Sequence, residues 1–321
     1  MSRAAAAALL GAAALALPAT AAAKGDGPHL LVAGDGAMFA ATGDGMVHRI
    51  DPASDRVVAS RRLAGFPSAL APSGPGLWTV QQPSTGPVRT VRLEARTLAP
   101  GPAAPRGFAS MAAAGPEVVW IAAWSGRSLR GIDARTGRLV RHVRLPRGIA
   151  SIAVGGDTLW VALYGRRPVA GSARRRGPSA LLVLDAATGR RAAAPRTFRG
   201  RPWELAADRR GAWVRAGHRT LLGWDPYHRA PRRVRLAGDG AGLALAPRAL
   251  WLQVQGSGGR LMRIGRRDGS ARTVTTDLEV YPSTILTAAG SVWVADLLTR
   301  RVLRIDPATG LTTARITLPR G

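Results

Sequence analysis

The sequence predicts an all-β protein, a seven-bladed β-propeller with four antiparallel strands in each blade. Three observations support this prediction. A tryptophan preceded by an apolar residue recurs along the chain, and an alternating segment that ends in Asp and a turn follows it. Gly, Pro, Asp and Ser then divide each repeat into four short segments. Four strands in a unit of about 40 residues is the length of a propeller blade.

The tryptophan repeat sets the period. Successive copies lie about 40 residues apart, apart from a longer interval between Trp160 and Trp213 that an insertion at 164–179 explains. The copies, with Met38-Phe39 in the first equivalent place, are Leu77-Trp78, Val119-Trp120, Leu159-Trp160, Ala212-Trp213, Leu250-Trp251 and Val292-Trp293.

The other segments of the unit keep phase with the tryptophan. An apolar segment after a glycine precedes it, as in 65–70, and a segment such as 129–137 (LRGIDARTG) follows it. The tryptophan segment is apolar on both faces, which suits a strand between neighbouring blades. The fourth segment alternates apolar and charged residues, as in 138–145. It fits an outer edge, where charge discourages pairing with other chains.

The N-terminus has the pattern of a secretory signal peptide. Arg3 precedes the apolar stretch 4–17, which is too short to span a bilayer, and a run of small residues ends at Ala23. We expect cleavage near Ala23 and a secreted or cell-envelope location, with no transmembrane anchor in the mature chain; the alternative is a short membrane-anchored or core helix. The predicted regions are a signal peptide at 1–23, a linker at 24–28 and the propeller at 29–321, with blades at about 29–64, 65–106, 107–147, 148–199, 200–237, 238–277 and 278–321.

Composition excludes several classes of site. The chain has 46 Lys and Arg against 19 Asp and Glu, a formal net charge of +27, and Lys24 is its single lysine. The absence of cysteine excludes disulfides, thiolate zinc sites, iron–sulfur clusters and cysteine nucleophiles. The arginine excess fits either GC-rich codon usage or binding of phosphates and carboxylates.

The Leu-Trp-Val-Ala segment at 159–162 and the Ile-Asp-Pro-Ala-Thr-Gly segment at 305–310 carry a family resemblance. The chain resembles the seven-bladed propellers of the YVTN and virginiamycin B lyase-like group and, more distantly, the NHL repeats, whose aromatic-Val-Ala-Asp strand is similar to 293–296. Lyases of that group work with a His, glutamates and a divalent metal. Here the sixth tryptophan strand continues into 255–259 (QGSGG) without His or Glu, so lyase activity is the alternative rather than the leading hypothesis.

The most regular polar residues are aspartates that precede turns. An Asp at such a position accepts backbone N–H bonds and sets the bend. We interpret them as structural, because a catalytic carboxylate is needed once and not in every repeat. They are Asp51, Asp133, Asp185, Asp225 and Asp306.

Irregular residues at equivalent positions are the better candidates for function. Loops that lead into the first strand and loops that join the second to the third strand lie on one face of a propeller, around the mouth of its channel. Aromatic and hydrogen-bonding residues concentrate there, which predicts a ligand- or partner-binding scaffold without catalysis. An alternative is that the aromatic residues plug the channel. The predicted ligand-binding residues are Phe66, Gln81, Gln82, Phe108, Trp124, Tyr164, Arg201, Gln255 and Tyr281.

Two other functions remain open. A lyase or hydrolase would use His218, Glu204 or Asp296, and it requires these side chains to converge. No His-x-His or His-Glu-x-x-His spacing occurs, so we predict neither a metal site nor a cofactor. A binder of anionic envelope polymers would use the basic insertion, with specific nucleic acid the least expected ligand. The insertion's arginines are Arg166, Arg167, Arg174, Arg175 and Arg176.

Overall fold

A computed structural model describes residues 26–107, 109–165, 177–225, 230–254, 259–278 and 282–321. Within these ranges the chain forms 28 strands and no helix, so the described residues offer no helical membrane span. The strands group into seven sheets of four, in chain order and antiparallel throughout. The predicted seven-bladed β-propeller is confirmed.

Each blade is a sheet of consecutive strands. Blades 1 and 2 contain β1 (Pro28–Gly34), β2 (Ala37–Thr42), β3 (Met46–Asp51) and β4 (Arg56–Arg62), then β5 (Phe66–Ser73), β6 (Gly76–Gln82), β7 (Arg89–Glu94) and β8 (Pro100–Ala103). Blades 3 and 4 contain β9 (Met111–Ala114), β10 (Val118–Ala122), β11 (Ser128–Asp133) and β12 (Leu139–Arg144), then β13 (Ile149–Gly155), β14 (Thr158–Leu163), β15 (Ser179–Asp185) and β16 (Arg191–Phe198). Blades 5 and 6 contain β17 (Pro202–Asp208), β18 (Gly211–Ala216), β19 (Thr220–Trp224) and β20 (Arg232–Arg235), then β21 (Gly240–Leu245), β22 (Ala249–Val254), β23 (Gly259–Gly265) and β24 (Ala271–Leu278). Blade 7 contains β25 (Pro282–Ala288), β26 (Ser291–Asp296), β27 (Arg301–Ile305) and β28 (Thr312–Thr317).

Burial falls from the second strand of a blade to the fourth. In β14 every residue after the first is buried, because both of its faces pack inside the propeller. In β12 every residue except the half-buried Val143 is exposed. The tryptophan strands therefore lie between blades, and the charged strands form the outer edge, as their patterns predict.

The first and last blades close the ring. β1 lies beside β25, and one apolar cluster joins Leu31 and Ile50 of blade 1 to Trp293 of blade 7. The Thr284 hydroxyl donates a hydrogen bond to the backbone carbonyl of His29 at 2.6 Å. Both blades are complete sheets of consecutive strands, so closure depends on packing and not on an exchanged strand.

The repeated aspartates shape turns. Oδ1 of Asp133 accepts hydrogen bonds from the backbone N–H and the hydroxyl of Thr136, both at 2.7 Å, and Asp185 makes the same contacts to Thr188. The Thr136 hydroxyl and backbone N–H hold the pKa of Asp133 below its ordinary value. The structural interpretation of these aspartates is confirmed at both positions, and the residues that follow Asp225 lie outside the described ranges.

The two signatures of the repeat meet at one joint between blades. Nε1 of Trp78 donates to the carbonyl of Ala134 in blade 3 at 2.9 Å, directly after Asp133. Gly137 ends that turn with φ +74°, and a Cβ there would lie 2.8 Å from Cη2 of Trp78. The Asp side chain shapes the turn, and the Gly has no Cβ, so the backbone of the turn can pack closely against the tryptophan of the preceding blade. The repeat motifs are therefore explained by packing.

Candidate functional site

The candidate site lies on one rim of the propeller, which we call the mouth face. It consists of the loops that lead into each first strand and the loops between second and third strands. Backbone hydrogen bonds join the two kinds of loop: Tyr164 N donates to the carbonyl of Gly148 at 3.0 Å, and Gly217 N donates to that of Arg201 at 2.7 Å. In blades 4 and 5 the two kinds of loop are therefore in direct contact.

β-Bulges distinguish the first strands close to this face. In six of the described blades the pairing of first and second strands skips a residue, which turns that residue out of the regular alternation. Blades 2 and 4 place the small residues Ser68 and Ala150 there, whereas blade 5 places Trp203. A large aromatic ring is thus aimed at the mouth face of blade 5, where it is only half-buried.

Five side chains form a continuous set of contacts that we call the aromatic–arginine row: Trp124, Tyr164, Arg201, Trp203 and His218. Trp124 meets Tyr164 edge to face, with ring centroids 6.2 Å apart at 83°. The Arg201 guanidinium carbon lies 5.5 Å from the Tyr164 ring centroid and 4.2 Å from that of Trp203. Trp203 in turn lies 5.6 Å from the His218 ring. The row runs from blade 3 to blade 5 and unites three of the predicted ligand-binding residues.

One carboxylate stands at the end of the row. Asp239 lies 3.8 Å from Nδ1 of His218 and 3.6 Å from Nε of Arg219, and all three side chains are exposed. No carboxylate of the described residues pairs with Arg201, which is also exposed. The row therefore carries an uncompensated positive charge at its centre.

A buried ion pair lies beneath Trp203. Oε2 of Glu204 is 2.8 Å from Nε of Arg215, and Oε1 accepts a 2.8 Å hydrogen bond from the backbone N–H of Gly242 in blade 6. The Arg215 guanidinium carbon lies 5.7 Å from the Trp203 ring centroid. Burial raises the pKa of Glu204, and the Arg215 charge opposes that rise. The pair thus links blade 5 to blade 6 and supports the ring of Trp203.

Arg215 breaks a pattern that sequence reasoning did not use. Two positions after the repeat aromatic, five blades carry a small apolar residue that packs on the next blade, whereas blades 5 and 6 carry Arg215 and Gln253. Gln253 is fully buried, and neither its amide oxygen nor its amide nitrogen has a partner among the described residues. This departure from the repeat is the signal that could have revealed Arg215. The five apolar residues are Ala41, Val80, Ala122, Ala162 and Ala295.

The three candidate catalytic residues do not form a hydrogen-bonded network within the described chain. Asp296 accepts backbone N–H bonds from Leu298 at 3.0 Å and Thr299 at 3.3 Å, so it shapes a turn in blade 7. Glu204 pairs with Arg215 and accepts a hydrogen bond from Gly242, and His218 lies against Trp203 and Asp239. Among the described residues no group of three or more His, Asp or Glu side chains could hold a metal ion.

Other predicted ligand-binding residues lie apart from the row, in blade 2. Phe66 stacks on the buried ring of His29, with centroids 4.6 Å apart and planes at 14°. Gln81 is buried, and its Nε2 donates to the Thr79 hydroxyl at 2.8 Å. Gln82 is half-buried. Its Oε1 accepts a 3.2 Å hydrogen bond from the backbone N–H of Ala64, so both ends of the Gln81 amide bond within the protein.

Several predicted residues lie outside the described ranges. They are the ligand-binding candidates Phe108, Gln255 and Tyr281 and the insertion arginines Arg166, Arg167, Arg174, Arg175 and Arg176.

Comparison with known proteins shows the fold. No protein-family model matches the chain, and no curated protein matches its sequence. Solved propellers do match. Hydrazine synthase of Kuenenia stuttgartiensis superposes with a TM-score of 0.67 at 15% identity over 89% of this chain and 97% of that one. The Cps50 (Swd1) β-propeller domain of Myceliophteria thermophila gives 0.69 at 14% identity over 88% and 97%. BamB of Moraxella catarrhalis gives 0.53 at 16% identity over 89% and 84%. At these identities the similarity shows the β-propeller fold alone.

Proposed function

We propose that this protein binds a small molecule or a protein partner on its mouth face, through the aromatic–arginine row, and that it does so without catalysis. One observation carries the proposal: the contacts from Trp124 through Arg201 to His218 are continuous across blades 3 to 5. Separate surface aromatics would need no explanation, but a connected set around one cation is a surface suited to recognition.

The exposure of the rings supports a binding role. Trp124 keeps 39% of its surface accessible, and Tyr164 and Trp203 are half-buried. Aromatic rings of this kind offer large apolar faces with little loss of side-chain entropy on binding, because their neighbours already restrain them. The row can therefore stack against a flat or apolar group without rearrangement.

The state of the nearby carboxylates favours binding over catalysis. A general base must lie within hydrogen-bond reach of the substrate proton. Glu204 uses its two oxygens for Arg215 and Gly242, and Asp296 uses its own for a turn. Both side chains are also buried, so neither carboxylate is open to a substrate in this arrangement.

Two sequence patterns support a location and a family for the protein. The signal-peptide pattern at 1–23 supports export to the cell envelope or beyond. The Leu-Trp-Val-Ala and Ile-Asp-Pro-Ala-Thr-Gly segments support membership of the YVTN and virginiamycin B lyase-like group. Anionic envelope polymers remain partners that the basic surface could hold.

A thermal-shift screen tests the binding function. The purified protein is mixed with a panel of small aromatic metabolites and soluble cell-wall fragments, and its melting temperature is measured with each compound. We expect at least one compound to raise the melting temperature of the native protein, and the Trp124→Ala/Tyr164→Ala variant to lose that increase.

Leu298 provides the matched control. It is 64% exposed on the mouth face of blade 7, away from the row, so Leu298→Ala should keep the ligand-induced increase. An increase that survives in the Trp124→Ala/Tyr164→Ala variant would overturn the assignment of the row. A panel in which no compound stabilises the native protein would count against a small-molecule ligand.

A further inference from the structure

We propose that the row binds an aromatic or similarly flat molecule that carries a carboxylate or phosphate group, and that Arg201 binds this anion. The inference rests on the proposed function, because it names the class of ligand for the same row. Three features carry it: the way Arg201 is held, the absence of a carboxylate partner for it among the described residues, and the rings that flank it.

Stacking holds Arg201 without using its hydrogen-bond donors. The guanidinium carbon is 4.2 Å from the centroid of Trp203 and 5.5 Å from that of Tyr164. These ring contacts use none of the five N–H donors, which lie in the guanidinium plane and point from its edge. A carboxylate or phosphate that approaches this edge can accept two parallel hydrogen bonds from a group whose position is already fixed.

Comparison with the other stacked arginines makes Arg201 distinctive. Four arginines lie over Trp or Tyr rings in the described chain. Arg196 donates to the carbonyl of Asp225 at 2.9 Å, Arg215 pairs with Glu204 at 2.8 Å, and Arg304 pairs with Asp55 at 3.0 Å. Arg201 alone among the four has no acceptor in the described residues.

Two carboxylates contact the row or the arginine beside it, and both are engaged elsewhere. Glu204 is buried against Arg215, and Asp239 faces His218 and Arg219 at the end of the row. The protein therefore places a positive charge between two rings and leaves the matching negative charge to be supplied from outside. That arrangement selects an anionic ligand over a neutral one of the same shape.

The rings define the rest of the ligand. Trp124 stands at 83° to Tyr164, so the edge of one ring meets the face of the other beside the cation. A flat apolar body can pack against these rings while its charged group reaches Arg201. A hydrophilic anion without such a body would lose those contacts and bind weakly at an exposed arginine.

Three matched probes test the proposal: 2-naphthoate, 2-naphthyl phosphate and the neutral 2-naphthalenemethanol, titrated into the purified protein by calorimetry. We expect the two anionic probes to bind at least about tenfold more tightly than the alcohol, as hydrogen bonds to a charged group imply. Arg201→Gln should abolish this difference and leave the affinity for the alcohol within about twofold. Trp124→Ala should weaken the binding of all three probes.

Arg62→Gln controls for total charge. Arg62 is exposed on the mouth face of blade 1, so this variant loses the same charge away from the row and should keep the preference for anions. Equal binding of all three probes, or a preference that survives in Arg201→Gln, would overturn the inference and leave the proposed binding function intact. Failure of every probe to bind would contradict the inference, and the metabolite screen would then decide the binding function separately.

Discussion

The indole N–H of Trp120 in blade 3 donates a 2.7 Å hydrogen bond to the backbone carbonyl of Ala186 in blade 4. Gly189 closes the same turn with φ +71°, and its backbone lies against the far edge of the indole. The same joint links Trp78 to Ala134 one blade earlier. The joint therefore recurs at two successive blade boundaries, whereas Nε1 of Trp293 donates to the carbonyl of Ala288 in its own blade.

Substitution of Gly189 tests the joint. A Cβ at this position would lie 2.6 Å from Cη2 of Trp120 and 2.9 Å from Val143, so Gly189→Ala forces the two blades apart. Gly290 has the same φ of +71°, but a Cβ there would meet nothing within 4 Å, so Gly290→Ala costs only the backbone strain. We expect Gly189→Ala to lower the free energy of unfolding in urea by about 1–3 kcal/mol more than Gly290→Ala. Equal losses would show that the turn does not dock tightly on the tryptophan.

The fold could be predicted from sequence because its signals are local and repeated. Asp133 and Gly137 lie in one short segment and Trp78 in another, yet each appears again at the blade period, and an ordered repeat leaves few architectures. Repetition also separated structural aspartates from catalytic candidates, since Asp133 and Asp185 make the same contacts in successive blades.

The site was predicted only in part, for a physical reason. Trp124, Tyr164 and Arg201 stand in mouth-face loops, where position alone identifies them. Gln81 belongs to the end of a strand, and the burial of its amide between Thr79 and Ala64 depends on packing that a single segment does not encode. Arg215 lies within a strand, so a search confined to loops passes over it. It becomes visible when equivalent strand positions are compared across blades.

Replacement of Gln253 by an apolar residue should stabilise the protein. This amide is fully buried and lacks partners in the described chain, at a position where blade 2 carries Val80. An apolar residue removes the cost of burying an unpaired amide, so Gln253→Leu should raise the free energy of unfolding by about 1–2 kcal/mol. Gln81 is the matched control, because it is also buried but bonded to Thr79, and Gln81→Leu should destabilise. Destabilisation by Gln253→Leu would mean that the amide has an acceptor or donor in the folded protein.

Two buried histidines predict sensitivity to acid. Burial lowers the pKa of His29 and of His48 from 6.5 to about 4. As pH falls through 6.5, the two histidines gain a proton in the unfolded chain before they do so in the folded protein. The stability supplied by the neutral rings is therefore complete above pH 6.5 and is lost progressively towards pH 4. Each ring accounts for about 3 kcal/mol over this window.

Urea denaturation at several pH values checks the prediction for His29. Its Nε2 lies 2.7 Å from the carbonyl of Pro67, and its Nδ1 has no partner in the described residues, so a second ring proton would be buried without an acceptor. His29→Gln should flatten the fall in stability between pH 6.5 and 4. His142→Gln alters an exposed ring and should leave the profile unchanged. A native profile that is flat over this range would contradict the prediction.

The ion pair of Glu204 and Arg215 predicts opposite outcomes for one and for two substitutions. Arg215→Ala leaves a buried carboxylate whose remaining hydrogen bond comes from Gly242, and we expect a loss of about 3–5 kcal/mol at pH 8. Burial then raises the pKa of Glu204 further, so the folded protein takes up a proton more readily than the unfolded chain. The deficit should shrink as pH falls towards 5, which urea denaturation at both pH values measures.

The double variant Glu204→Leu/Arg215→Ala recreates the apolar layer of blade 1, where Leu30 pairs with Ala41. It removes both charges but leaves the buried N–H of Gly242 without its acceptor, so its stability should return to within about 1–3 kcal/mol of the native protein. Trp203 nevertheless loses the guanidinium that lies 5.7 Å from its ring. If the pair holds Trp203 in place, this stable variant should bind 2-naphthoate more weakly than the native protein does. Native affinity in the double variant would show that the pair joins blades 5 and 6 without positioning the row.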